Sequence, residues 1–221
     1  MTLLSAILVL WNDCVPEGRD HYEHWYAREH IIERVDIPGF RFGRRYEAID
    51  GEPQFFTYYE VDDAAVLASP AYMERQQNPT PATTKSMTYF RNMNRTVCDV
   101  AAVAGVLSGS HVVTLRFTKP LRDLTAAQSL VRELTERDGI GRVHVWTAAE
   151  NQTPANTNEM QLRKGPDASV PGVLVVECVR RADAEKVAAG FRQQPPSLLA
   201  AVGAGPIGVY SFICAYERSR S

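Results

Sequence analysis

With 221 residues, 45% of them hydrophobic and 23% charged, the chain can bury one large core or two small ones and is not a disordered polymer. Its 24 basic and 26 acidic side chains leave a net charge of -2, so there is no basic field for nucleic acid and no polybasic patch for an anionic membrane. The 14 glycines and 13 prolines exclude collagen-like and low-complexity readings. No apolar run reaches the ~18 residues that span a bilayer. The four cysteines, Cys14, Cys98, Cys178 and Cys214, are scattered, which predicts buried, reduced thiols in a cytoplasmic setting and no metal site.

In chain order, Leu3 to Trp11 reads as a strand. It lacks Lys and Arg and runs into Asn12-Asp13 rather than a cleavage site, so a signal peptide is not expected. Asp20 to Val35 carries apolar residues at three- and four-residue spacing and predicts a helix stopped by Pro38-Gly39. Phe40 to Ile49 and Phe55 to Val61 predict strands joined around Asp50-Gly51, a hairpin signal. Ala64 to Gln77 reads as a second helix interrupted at Ser69-Pro70, Asn78 to Thr84 as a polar loop, and Met87 to Val103 as containing a strand. Small residues from Ala104 to Ser110 form a linker. Beyond it come a strand at Val112 to Phe117, a helix at Thr125 to Arg137 and a strand at Gly141 to Thr147. A long polar loop, Ala148 to Pro171, precedes the strand Gly172 to Val179. Ala182 to Ala201 is then mostly helical, broken at Pro195-Pro196, and Ile207 to Tyr216 is the last strand.

The order β-α-β-β-α-β therefore occurs twice, in 1–104 and 110–221, and is the ferredoxin-like order. Two pairs of segments stand 117 residues apart: Tyr58-Tyr59-Glu60 with Val175-Val176-Glu177, and Arg75-Gln76-Gln77 with Arg192-Gln193-Gln194. Val97-Cys98 and Ile213-Cys214 are 116 apart, which suggests two homologous halves. An antiparallel sheet with helices on one face leaves its other face bare, and the nearest cover is the sister sheet. The expected fold is α+β: two tandem ferredoxin-like halves whose sheets pack into an intrachain barrel with helices outside.

The most informative stretch is the first helix. At about 100° per residue, Tyr22, Trp25, Tyr26, Glu29, Ile32 and Glu33 share the side that faces the sheet. His24, Ala27, Arg28 and Ile31 turn away, and His30 sits at the edge. A carboxylate among aromatics is expected to have a raised pKa, and a histidine titrates near neutrality. Glu29 and His30 beside Trp25 and Tyr26 therefore make a candidate proton-shuttling pocket. The same residues also allow Glu29 to be ion-paired with Arg34, Arg44 or Arg45. On the following strand Arg44 and Tyr46 share a face, and Arg44 could grip a substrate carboxylate or lie on a solvated edge. Tyr58 and Tyr59 point to opposite sides, so one of them faces the helices.

Tyr22, Trp25-Tyr26, His30 and Pro38-Gly39-Phe40, with Tyr46 in the next strand, resemble the helix motif of EthD-like proteins in the dimeric α+β barrel superfamily. Two departures stand out. Ile31-Ile32 replace the proline that often follows the family's histidine, and the second half has neither tryptophan nor histidine on its first helix. The resemblance implies a small-molecule pocket between helices and sheet in the first half, with the second half as pseudo-symmetric partner. Activities known in that superfamily include cofactor-free monooxygenases, muconolactone-type isomerases, polyketide cyclases and haem enzymes. The leading expectation is an isomerase, lyase or cyclase with no bound cofactor or metal. Its cyclic or aromatic substrate would lie against Trp25, Tyr26 and Tyr59, held by Arg44 and Tyr46, with His30 as general base or acid and Glu29 assisting. Alternatives are a non-catalytic binding protein, a monooxygenase and a haem protein, although His111, His144 and Trp146 lack surroundings that resemble a haem site. The expected partners are a small organic substrate and a second copy of the chain through remaining sheet edges; nucleic acid and membrane are not.

Overall fold

Eight strands carry the architecture in a computed structural model that describes residues 5–150, 156–163 and 165–218. They are β1 (Ala6–Cys14), β2 (Phe40–Asp50), β3 (Phe55–Val61), β4 (Phe90–Gly105), β5 (His111–Phe117), β6 (Ile140–Ala148), β7 (Gly172–Cys178) and β8 (Ala204–Glu217). All neighbours are antiparallel, in the order β4-β1-β3-β2 followed by β8-β5-β7-β6. Each half thus places its own fourth, first, third and second strands side by side, the ferredoxin-like arrangement. Pairing of β2 with β8 and of β4 with β6 joins the halves into a closed barrel, as the α+β reading predicts. β3 and β7 coincide with two of the segments that stand 117 residues apart. Among the described residues closure leaves no edge strand, so the expected route to a second copy through sheet edges is removed there.

The period of two lets each strand serve two cores. Along β1, Ile7, Val9 and Trp11 point into the barrel with Tyr46, Phe56, Tyr58, Trp146 and Tyr210. Ala6 and Leu8 point outward, under the helices of the first half.

Those helices begin with α1 (Arg19–Trp25), which continues through a π segment (Tyr26–His30) into α2 (Ile31–Val35). Gly39 ends the run with φ +93°, a conformation that glycine adopts without steric cost. A 3-10 turn (Ala64–Ala68) leads to α3 (Pro70–Gln77), followed by α4 (Pro81–Met87). The polar loop expected at 78–84 is therefore half helix. Ser69 and Thr80 each accept a backbone N–H of the helix they precede, and each is followed by proline at its first position. The second half is covered by α5 (Leu124–Thr135), α7 (Arg181–Gln193) and α8 (Ser197–Val202). α5 buries Ala127, Leu130, Val131 and Leu134, one apolar stripe. Between β6 and β7 the chain forms α6 (Asn158–Gln161), which packs on the first half rather than its own.

All four cysteines are free, and Cys14, Cys98 and Cys178 are buried. Burial pushes the Cys178 thiol up to about 12, so it stays protonated. Among the described residues no helix is long and apolar enough to cross a membrane.

Candidate functional site

The helix that carries the motif is not a regular α-helix. Its buried residues are Tyr22, Trp25, Tyr26, His30, Ile31, Arg34 and Val35. The steps from Trp25 to His30 and from Tyr26 to Ile31 are five residues long, and the π segment absorbs the extra one. Everything after Tyr26 is turned by roughly 100° relative to a straight wheel. His30 and Ile31 swing to the sheet side, Ile32 and Glu33 become only half-buried, and Glu29 rotates away. The expected facing of Glu29, Ile32 and Glu33 toward the sheet is corrected on that ground.

Glu29 points instead to α4, where its Oε1 accepts hydrogen bonds from the hydroxyls of Thr80 and Thr83, the latter at 3.1 Å. Thr83 Oγ1 in turn accepts the Trp25 Nε1–H at 3.0 Å. This chain fixes the indole ring, which lies against the imidazole of His30 with centroids 4.2 Å apart and planes at 32°. Trp25 and Glu29 therefore stand behind His30, and neither lines the cavity in front of it.

That cavity lies between helix and sheet of the first half, with a free volume of about 40 Å³, room for a few water molecules. Tyr26, His30 and Arg34 enter it from the helix, Leu8, Leu10 and Asn12 from β1, Tyr59 from β3, and Tyr72 and Gln76 from α3. The Tyr26 and Tyr59 hydroxyls are 3.1 Å apart. Gly43 on β2 makes the Tyr59 position possible, because a Cβ there would stand 2.7 Å from the ring. His30 is buried, and its Nδ1 has no hydrogen-bond partner among the described residues. Burial, with help from the nearby guanidinium groups of Arg34, Arg163 and Arg45, holds its pKa well below the ordinary 6.5. The imidazole is thus neutral at pH 7, not poised near neutrality as the sequence suggested.

The second half supplies the roof. Glu159 on α6 is 4% exposed and accepts hydrogen bonds from Arg34 Nη2 and, at 3.1 Å, from Gln76 Nε2. Thr157 donates to Gln76 Oε1 at 3.3 Å, and Arg163 reaches the cavity while paired with Asp167 at 2.5 Å. The Arg95 N–H bonds to the Ala168 carbonyl at 2.8 Å, which stitches this segment to β4. Sequence reasoning took the stretch for a polar loop and missed both Glu159 and Arg163. The i, i+4 spacing of those two residues and the Thr157 cap hint at a helical turn. Nothing local says where it docks.

Beside this cavity lies a larger one of about 200 Å³, and Tyr72, Gln76 and Arg95 form a wall common to both. Arg95 is half-buried and donates from Nη2 to the Tyr72 hydroxyl at 3.1 Å. Among the described residues no carboxylate stands within ion-pair distance of it.

The remaining sequence-selected residues divide between the two faces of the sheet. Tyr59 faces the cavity, as one of the tyrosine pair had to, and Tyr58 faces the barrel. Arg44 and Tyr46 do share a face, but it is the barrel interior, on the far side of the sheet from His30. There Arg44 pairs at 3.3 Å with Glu177, which is fully buried and also 3.1 Å from His144 Nε2. The arginine on the helix side is Arg45. It forks onto Glu23 at 2.5 and 3.1 Å and lies 4.4 Å from the ring centroids of Tyr26 and Phe55.

No protein-family model and no curated protein matches the chain. Solved structures do. An anthrone oxidase-like protein superposes with a TM-score of 0.63 at 12% identity, covering 97% of this chain and 93% of that one. A candidate monooxygenase from Fusobacterium nucleatum gives 0.61 at 10% identity, covering 99% and 96%. A candidate chlorite dismutase gives 0.56 at 11% identity, covering 97% and 96%. Likeness at these identities speaks to architecture, and on that evidence the chain has the fold of the dimeric α+β barrel proteins, closed here within one polypeptide.

Proposed function

We propose that this protein is a small-molecule enzyme in which His30 is the general base. The observation that carries the reading is a neutral, buried imidazole whose Nδ1 has no partner among the described residues, on the wall of a cavity between aromatic rings and guanidinium groups. His30 offers the lone pair of its unprotonated ring nitrogen to a C–H or O–H acid. The electron pair stays on the substrate as an enolate or phenolate, and the cations of Arg34 and Arg163 favour that charge in a site poor in water. Returning the proton to another atom completes an isomerisation, and loss of a neighbouring leaving group completes an elimination. The Tyr26–Tyr59 hydroxyl pair is placed to orient an oxygen of the substrate. Trp25 and Glu29 act as positioning residues, one against the ring and one through Thr83.

A second reading follows from the names of the similar structures. An enolate or phenolate made in this way is electron-rich, and such anions react with dioxygen, so monooxygenation is an extension of the same first step. The helix motif supports an EthD-like relationship, and the repeated strand order with the 117-residue spacing supports descent from a duplicated half. A haem, suggested by the chlorite dismutase likeness, does not fit these residues. The His30 cavity has about 40 Å³ free, the second-half layer is filled by aliphatic side chains, and His144 is held inside the barrel by Glu177.

The test is proton exchange. One-ring 1,3-diketones and enol-lactones in deuterated buffer are expected to exchange their acidic hydrogen faster with the protein than without it. His30→Gln should slow this by roughly 10²–10⁴-fold while a substrate analogue still binds. A variant that turns over like the parent sinks the proposal, and one that loses only affinity favours a binding protein.

A further inference from the structure

We infer that the larger cavity is a carboxylate subsite with Arg95 as its cation, so that the substrates are organic acids with an apolar body. The position of His30 decides which end of such a molecule reacts, and to that extent the inference rests on the reading above. The occupancy of the larger cavity does not.

Arg34, Arg45 and Arg163 are buried, and each has its own carboxylate: Glu159, Glu23 and Asp167. Arg44, turned into the barrel, has Glu177. A guanidinium cannot shed its proton, so each one withdrawn from water needs an anion or several acceptors. Arg95 is also drawn in from solvent, yet its side chain has a phenol, Tyr72, where these four have an acid; Arg116, half-buried too, donates to the Glu52 carbonyl and lies over Trp11, whereas Arg95 borders a cavity. The carboxylates whose charges act on it, Asp167 and Glu159, are already engaged by Arg163 and Arg34. The residues 151–155 contain no Asp or Glu that would change this balance.

The cavity next to this unclaimed cation has the composition of a ligand site. Leu67, Met73, Val97 and Met160 give it apolar walls, and Thr96 and Ser169 add hydroxyls. Its free volume of about 200 Å³ takes a one-ring acid. The planar fork of Arg95, with one nitrogen committed to Tyr72, keeps donors that match the two oxygens of a carboxylate. Because Tyr72, Gln76 and Arg95 wall both cavities, an acid gripped from this side lies one side-chain layer from His30.

The experiment is calorimetric titration of the full chain with benzoate and with benzamide, its uncharged isostere. Benzoate should bind at millimolar concentration or better, and benzamide about tenfold more weakly or worse. Arg95→Gln should weaken benzoate binding by about tenfold or more and leave benzamide within about twofold. Arg95→Lys, which keeps the charge without the fork, should fall between. Undetectable benzoate binding to the parent, equal binding of the two probes, or unchanged binding to Arg95→Gln overturns the inference. The comparison of probes on the parent chain decides the matter even if Arg95→Gln does not fold. His30→Gln should bind benzoate as the parent does. If it also retains proton exchange, the base reading falls while the subsite stands.

Discussion

The two helix–sheet layers of this barrel share one topology and carry opposite chemistry. Over β5 to β8 the layer is made of Leu115, Leu130, Leu134, Val143, Leu174 and Phe191, with the Cys178 thiol among them and, among the described residues, no imidazole or guanidinium group in that cluster. Over β1 to β4 the corresponding space holds Tyr22, Trp25, Tyr26, Tyr59 and Tyr72 with His30 and Arg34 among them, and two cavities beside them. The aliphatic layer shows that the architecture closes without an imidazole or a guanidinium group between helices and sheet. The buried imidazole and guanidinium groups of the aromatic layer are therefore not a requirement of the fold, and the proposed chemistry supplies a use for them, since sites are grafted on folds rather than implied by them. Its burial of charge also has a structural consequence. Arg34 needs Glu159, and Glu159 belongs to the other half.

The contrast can be broken most sharply at that pair. Glu159→Ala leaves Arg34 buried without its anion and should cost about 3–5 kcal/mol in urea denaturation. The paired change Arg34→Met with Glu159→Leu should recover most of the loss, because it removes both charges. Equal destabilisation by the single and double changes would refute the account of the roof. Next in size is truncation of leucine in the two layers. Leu115→Ala, in the filled layer, should cost about 3 kcal/mol, whereas Leu8→Ala, equally buried but beside an existing cavity, should cost about half as much. Similar losses at the two sites would mean that the first-half cavity is closed in solution.

The smallest effect is the pH dependence of His30. Its pKa in the folded protein lies well below 6.5, the unfolded value, so the unfolded chain binds the extra proton. Stability from this residue is therefore complete above about pH 6.5 and is lost as pH falls toward the folded pKa, by up to about 1.4 kcal/mol per pH unit. Urea midpoints measured between pH 7 and pH 5 should fall more steeply for the parent than for His30→Gln. Parallel curves would show that His30 is not held neutral.

Much of this was legible in the residues. The span of β3 was readable at both ends, because aromatic and β-branched residues in a run bounded by turn formers admit little else. The ferredoxin-like order and the barrel followed from element order and from the need to cover a bare sheet face. The first helix was readable in extent but not in phase beyond Tyr26, since a wheel assumes one pitch and the π segment breaks it. Even so, the five-residue step from Trp25 to His30 was present in the sequence as a clue. Alternation correctly grouped Arg44 with Tyr46 and set Arg45 opposite, yet it is blind to which group meets the helices. That choice inverted the substrate-binding expectation for Arg44 and Tyr46.

Periodicity, caps and turns arise from neighbours a few bonds apart, and so the strands, the helices and their order can be read along the chain. A cavity is a gap between distant surfaces. The partner of a buried charge is whichever acid packing brings within reach, and Arg34 finds its own 125 residues away. Only the folded molecule could make that match, and it is the match that leaves Arg95 without an acid of its own.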